Sequence, residues 1–376
     1  MSTRNPKDRV VIGTINKLGW DLLIHFCTDD NSPYSNSTLV SGLSTFSALT
    51  MLAGAAVDPK QREMCAKLGA GSLRDLQATY PGMRRMLESD NVFHSANGLV
   101  AETQVCLSPQ YQDYLRRLMV DANLHFLNLA DSVAEINKWI SRTTKRRIPS
   151  LLTADDLRDS AVALINALIF AAAFAEPFRP RDTVRCAPFY PTIKNGSRAT
   201  ATVDMMYRHG KGVLVYQGER CTAVRLPYRC TPPSEWSMIA CLPNKDTPIQ
   251  EMLQILRTRR IPSFAQHRVG RLGLPRFELQ VQHKLNSTLQ ALGFPIDGSF
   301  PALDMGGDTQ VGNIVQSLSL ECNEKGTVAA VATAVIIGRG GPPPYIPELI
   351  FDRPFVFAIV ADELDLAICT GLFSGQ

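Results

Sequence analysis

The chain has 376 residues, 45% of them hydrophobic, enough to bury a large core. Lys+Arg 39 against Asp+Glu 35 leaves a net charge of +4, too weak and too evenly spread to argue for a nucleic-acid partner. No uninterrupted apolar run is long enough to span a bilayer, and the polar start Met1-Ser-Thr-Arg-Asn-Pro-Lys-Asp-Arg9 lacks the apolar core of a secretory leader.

No internal repeat, low-complexity linker or charge block divides the chain, which predicts one domain over 1–376. In chain order, Asn16 to Cys27 fits an amphipathic helix through Leu18, Leu22, Leu23 and Phe26. Ser41 to Ala55 is small and apolar and reads as a buried helix after a turn. Pro109 to Val120 and Ser132 to Lys145 have helical spacing. Ala163 to Ala173 is a continuous apolar run, ambiguous by period and plausible as a central strand. The second half carries strand patterns at Gly212–Tyr216, Thr222–Pro227, Ser237–Leu242, Leu272–Gln282, Val315–Glu321, Pro354–Val360 and Leu366–Leu372. Helices early and strands late argue an α+β fold.

Between these last strands lies a stretch with two characters. Thr327 to Gly338 is uncharged, small and β-branched, as suits a strand buried on both faces; Arg339, two glycines and three prolines follow, as suits an exposed loop. Proline there favours an extended arm over a competing strand.

The motifs of common enzymes are missing. Six histidines show no metal-binding spacing, and there is no nucleophile elbow, phosphate loop or dinucleotide fingerprint. Nine cysteines, an odd number without Cys-x-x-Cys, read as buried thiols rather than as a zinc site or disulfide framework. No cofactor or metal is implied. Asn36, Asn195 and Asn286 begin glycosylation sequons, which matter only in a secreted chain. The basic clusters Arg84-Arg85, Arg116-Arg117, Lys145-Arg-Arg147 and Arg257-Thr-Arg-Arg260 read as solvated helix faces before they read as a polyanion site.

At this point the residues resemble a family, the serpins. Glu324-Lys-Gly-Thr-Val-Ala-Ala-Val-Ala-Thr-Ala-Val335 resembles the serpin hinge, and Phe351-Asp-Arg-Pro-Phe-Val-Phe-Ala-Ile359 the signature after the family's loop. Asn166-Ala-Leu-Ile-Phe170 with Phe174-x-x-Pro-Phe178 resembles the central strand and the breach beyond it. Ser41-x-x-Ser44 with Ser47-Ala-Leu-x-Met-Leu52 resembles the helix under the main sheet, and Asn137-Lys-Trp-Ile140 the helix across it. Met205-Met206, Leu226-Pro-Tyr228 and Leu274-Pro275 resemble later markers.

The resemblance covers almost the whole chain. It implies a single serpin-like domain of helices and three β-sheets, with an exposed reactive-centre loop at about 326–347. It also implies an inhibitor rather than an enzyme. A serine peptidase attacks the loop, and the loop's N-terminal part then enters the main sheet as an extra strand, an established case of strand addition. Glu324, Gly326, Thr327, Val328, Ala329, Ala330, Val331, Ala332 and Thr333 form the implied hinge, with Gly326 as pivot. Strand alternation puts Thr327, Ala329, Val331, Thr333, Val335 and Ile337 on one face, which the resemblance turns to the core, and Val328, Ala330, Ala332, Ala334, Ile336 and Gly338 on the other. Neither set carries a charge, costly to bury, or a proline, which would break the ladder.

Arg339, the one charged residue between Lys325 and Glu348, suits the acidic pocket of a trypsin-like peptidase and places the reactive bond at Arg339–Gly340. Counted from Gly326, the family's usual position falls one residue later, at Gly340. Ser41, Ser44, Asn166, Phe174 and Gln316 are the implied shutter and breach residues. Of these, Gln316 stands for the usual histidine and Phe174 for the usual tryptophan; Gly42, Val328 and Val331 are further departures. Gln316 is expected to hydrogen-bond to Ser41 or Asn166 without titrating. The implied partner is a trypsin-like serine peptidase held covalently by a monomeric inhibitor, with a polyanion such as heparin as a further candidate and neither nucleic acid nor membrane. The arginine bait points to an extracellular setting, the polar N-terminus to a cytoplasmic one. The alternative is a non-inhibitory binding or chaperone protein on the same fold.

Overall fold

The computed structural model describes residues 5–28, 34, 36–89, 92–118, 122–146, 148, 152–158, 160–191, 201–230, 234–258, 264–303, 311–327 and 345–375. Its helices are α1 (Pro6–Thr28), α2 (Gly42–Ala55), α3 (Lys60–Lys67), α4 (Leu73–Leu87), α5 (Pro109–Arg117), α6 (Val133–Thr143), α7 (Ala154–Leu157), α8 (Ile249–Thr258) and α9 (Asn286–Ala291). The strands of the first half are β1 (Thr38–Val40), β2 (Phe93–Glu102), β3 (Ala122–Phe126), β4 (Val162–Phe170), β5 (Ala172–Ala173) and β6 (Thr183–Phe189). Those of the second are β7 (Ala201–Gln217), β8 (Cys221–Pro227), β9 (Trp236–Pro243), β10 (Ala265–Pro275), β11 (Phe277–Lys284), β12 (Asn313–Asn323), β13 (Gly326–Thr327), β14 (Tyr345–Ile350), β15 (Phe355–Ala361) and β16 (Leu366–Phe373). Contacts gather the chain into two compact units. One comprises Met1–Leu18, Ser41–Ile169 and Gln280–Ser319; the other comprises Gly19–Val40, Phe170–Leu279 and Leu320–Gln376.

The first unit is built on strands in the order β3-β2-β4-β12. Strands β4 and β12 are parallel, in register from Asn313↔Ala163 to Ser319↔Ile169. Every residue of β4 is buried, which explains its continuous apolar run: a strand covered on both faces has no polar side to alternate with. On one face Ala163, Ile165, Ala167, Ile169 and Val315 meet Ile136 and Ile140 of α6, with Ala96 and Val100 of β2. The opposite register, Asn166 and Gln316, carries the polar groups described below. Helix α2 starts where predicted. Ser41 has extended φ/ψ and its hydroxyl accepts from Ser44 N–H at 3.0 Å, an N-cap that satisfies one orphan donor.

The second unit is organised by β7, which joins two sheets. Its first part pairs with β6 and its last with β8, while β10 runs along both parts. One sheet continues to β14 and the other through β9, β15 and β16 to β1. With the β4–β12 sheet this makes the expected helices-plus-three-sheets arrangement. The segment from Phe351 to Phe357 supplies the aromatic core here. Phe355, Phe357 and Phe373 surround Phe277, whose ring stacks on Phe373 at 4.9 Å.

Several expectations need correction. The first helix begins at Pro6 rather than Asn16, and by length and composition it is apolar enough to cross a membrane. Its buried apolar positions are Val11, Ile12, Ile15 and Leu18 in the first unit and Leu22, Leu23 and Cys27 in the second, while Val10 is exposed. Leu272–Gln282 is two strands, broken at Arg276, whose N–H donates to Asp204 O at 2.7 Å. Strands β2 and β3 stand in the half that reads as helical. None of the nine cysteines is in a disulfide, but Cys106 and Cys186 are exposed and Cys230 is half-buried rather than buried. Asn286 does not behave as a free sequon: its side chain donates to Gly312 O and accepts from Ile314 N–H, each at 2.9 Å.

Candidate functional site

The described residues among those predicted for the site fall into two buried groups. The first, in the second unit, surrounds the end of β12. After Asn323 the chain turns through Glu324 and Lys325 and comes back as β13. The turn is held by its own polar atoms. Lys325 N–H donates to Asn323 Oδ1 at 3.0 Å, Thr183 Oγ1 donates to a Glu324 carboxylate oxygen at 2.8 Å, and Phe178 N–H donates to Glu324 O at 2.8 Å. Gly326 then adopts φ +144°, and a Cβ there would lie 2.4 Å from Ala172 O and 2.6 Å from Ala173 Cα. Only glycine fits a strand approaching that closely.

Residues Gly326 and Thr327 pair on both sides. They are antiparallel to β12 (Cys322↔Thr327, Asn323↔Gly326) and antiparallel to β5 (Gly326↔Ala173, Thr327↔Ala172). The Thr327 side chain is fully buried, and its hydroxyl shares a hydrogen bond of 2.7 Å with the Tyr228 hydroxyl. Phe174 stacks on the Tyr228 ring at 5.0 Å and 10°, while Phe170 meets it edge-on at 4.9 Å. Burial pushes the Tyr228 phenol well above its ordinary range, although the bond to Thr327 favours its ionised form; the group stays neutral and able to donate. Phe174 N–H donates to Lys325 O at 2.8 Å, so this phenylalanine supports the hinge turn with its backbone and Tyr228 with its ring.

The second group, in the first unit, lies between α2 and the β4–β12 pair. Gln316, 1% exposed, donates from Nε2 to Ser41 O and Thr45 Oγ1, each at 2.9 Å, and accepts from Ser41 N–H at 3.0 Å. Asn166, its register partner, does not bond to it; its Nδ2 donates to Asn97 Oδ1 at 2.6 Å. Ser47 Oγ also donates to Asn97 Oδ1, at 2.9 Å, and accepts from Tyr80 OH at 2.8 Å. Ser44 gives its N–H to the Ser41 cap, while its own hydroxyl has no hydrogen-bond partner among the described residues. Buried polar atoms in this density specify a single strand arrangement, because each loses a partner if the strands move.

The predicted residues thus separate. Glu324, Gly326, Thr327 and Phe174 cluster at the end of β12; Ser41, Ser44, Asn166 and Gln316 sit at the α2–β4–β12 junction. Val328, Ala329, Ala330, Val331, Ala332, Thr333, Arg339 and Gly340 lie outside the described residues. The chain is described again from Tyr345, where β14 pairs in parallel with β10 as an edge strand, a position that accommodates Pro347. Sequence reasoning assigned no role to Thr183, Asn97, Tyr80 or Thr45, and it treated Tyr228 only as a marker. The one local signal was a tyrosine directly after a strand-ending proline; the rest are recognised only through contacts distant in sequence.

The sequence and the fold have clear counterparts. The sequence model of the serpin (serine protease inhibitor) family matches residues 14–374. The leukocyte elastase inhibitor A of Mus musculus is 28% identical over 363 residues, covering 88% of this chain and 90% of that protein. Serine protease inhibitor 2 of Anopheles gambiae is 24% identical over 368 residues, with 92% and 85% covered. Among solved structures, an Arabidopsis serpin in its native stressed conformation superposes with a TM-score of 0.83 at 18% identity, covering 98% of each chain. Human thyroxine-binding globulin gives 0.77 at 20% identity, with 97% and 98% covered. The matched span takes in both the hinge and the buried junction beneath the parallel strands, and the chain belongs to the serpin family.

Proposed function

We propose that this chain inhibits a trypsin-like serine peptidase as a suicide substrate, with Arg339–Gly340 as the reactive bond and 1–376 acting as one monomeric domain. The peptidase serine attacks the Arg339 carbonyl and forms an acyl-enzyme, and the amine of Gly340 leaves. The stretch from Val328 onward then enters between β12 and its neighbours β4 and β5 before water cleaves the ester. The observation that carries this reading is the double antiparallel pairing of Gly326 and Thr327. A strand added between two parallel strands by a tight turn from one of them must run antiparallel to both, and the first two residues already do. The next eleven, Val328 to Gly338, hold no charge and no proline, so that nothing in them resists burial in a central strand. The inhibitor names of the sequence relatives agree with this reading.

A polyanion such as heparin is the further partner we propose to assay. Lys138, Arg142, Lys145 and Arg146 are exposed on and just after α6, a local excess of positive charge despite the small net charge.

Incubation with trypsin tests the function. An SDS-stable complex of chain and peptidase is expected, together with a C-terminal fragment beginning at Gly340. Arg339→Ala is expected to slow complex formation at least a hundredfold. Cleavage of the chain without any complex overturns the inhibitory reading and favours a non-inhibitory binding protein on the same fold.

A further inference from the structure

We propose that a cavity bordered by β6, β7 and β11 is a binding site for small organic cations that carry a short apolar body, independently of the inhibitory reading above. The cavity has a volume of about 430 Å³ and is lined by residues of the second unit alone. That size falls among small-ligand sites, which span roughly 300–1,000 Å³.

Two irregularities in the strands border it, and Asp204 of β7 holds both. Strand β6 pairs with β7 through Val184↔Met205 and Ala187↔Val203. Arg185 and Cys186 therefore stand together against Asp204 alone, a bulge of the kind that re-aims a side chain. Cys186 takes φ +51° there, unusual for a residue other than glycine, and its N–H donates to Asp204 Oδ1 at 3.3 Å. On the other side, the Asp204 carbonyl accepts from Arg276 N–H at 2.7 Å, where β10 gives way to β11. Phe277 and Phe373, stacked at 4.9 Å, add aromatic surface to the lining.

Charge decides which ligand suits this space. Asp204, Glu278 and Glu321 line the cavity together with one cation, Arg276. Arg276 approaches Glu321 Oε1 at 3.8 Å, and Asn323 Nδ2 donates to the same oxygen at 2.9 Å. Three carboxylates against one guanidinium leave the wall negative, which attracts a cation and repels an anion. Aromatic surface beside carboxylates fits an arylalkyl amine, with its ring against the phenylalanines and its ammonium group among the acids.

The exposed Cys186 thiol lies in the wall and reports occupancy. The whole chain is alkylated with iodoacetamide, and the rates at Cys186 and at exposed Cys106 of the first unit are followed by peptide mass spectrometry. Phenethylamine at millimolar concentration, the range expected for so small a ligand, should slow alkylation of Cys186 about threefold or more and leave Cys106 unchanged. Hydrocinnamate, of similar shape and opposite charge, should protect neither thiol. Asp204→Asn keeps an acceptor for the Cys186 N–H and removes the charge; Glu278→Gln removes a second charge. Each should raise the amine concentration needed for half-protection about threefold, and the double variant about tenfold. Absence of protection by phenethylamine overturns the proposal. So does equal protection by amine and acid, or a half-protecting concentration unchanged in the variants. Glu278→Gln carries the charge test alone should Asp204→Asn fail to fold.

Discussion

Gln316 satisfies both backbone polar groups of Ser41 and the hydroxyl of Thr45 with a single carboxamide. Replacing it by leucine keeps the volume and removes three buried hydrogen bonds. Gln316→Leu is expected to lower unfolding stability by about 2–4 kcal/mol, read as a fall in urea midpoint at unchanged slope. Asp156 shows a charge used locally. Burial opposes its ionisation, yet the Thr153 N–H, Gln282, the Thr153 hydroxyl and Lys284 together bring its pKa down to about 2 from the ordinary 3.8. A folded-state pKa below the unfolded one gives stability that is present above the unfolded value and lost as pH falls through the folded one. Asp156→Asn is therefore expected to cost about 2 kcal/mol at pH 7, and the gap to wild type should close between pH 4 and pH 2. A gap that persists at pH 2 would mean that the hydrogen bonds, not the charge, carry the effect.

At the scale of elements, β13 is two residues long and still decides the geometry of its neighbourhood. A side chain at Gly326 would run into the backbone of Ala172 and Ala173 and would have to adopt a φ of +144°. Gly326→Ala is expected to unpair β13 from β5 and to convert much of the inhibitor to a cleaved substrate, seen as a severalfold rise in stoichiometry of inhibition. What could be read from the sequence was whatever depends on neighbours along the chain. The cap at Ser41, the buried run of α2 and the apolar run of β4 are of this kind. Strand β2 escaped because Ser95, Asn97 and Gly98 interrupt any apolar alternation, and Asn97 is polar in order to receive Asn166 and Ser47. The break at Arg276 depends on Asp204, and the pairing of Thr327 with Tyr228 spans ninety-nine positions. Both are decided by tertiary partners, which no local period encodes. Gln316 was read as an uncharged shutter amide, and its bond to Ser41 was among the two considered; the choice between Ser41 and Asn166 belongs to the packing.

For the whole molecule, the proposed inhibition requires a resting state less stable than an available alternative. Strands β4 and β12 pair directly in parallel, and the charge-free, proline-free sequence Val328 to Gly338 suits a strand added between them. On the proposed mechanism, cleavage at Arg339–Gly340 permits about ten new ladder bonds and buries apolar side chains, on the order of 10 kcal/mol in favour of the inserted form. The measurement that tests this most directly is the thermal unfolding midpoint of the purified chain before and after proteolysis at Arg339–Gly340. The account predicts a rise on the order of 20 °C; an unchanged or lower midpoint in the cut chain would contradict it.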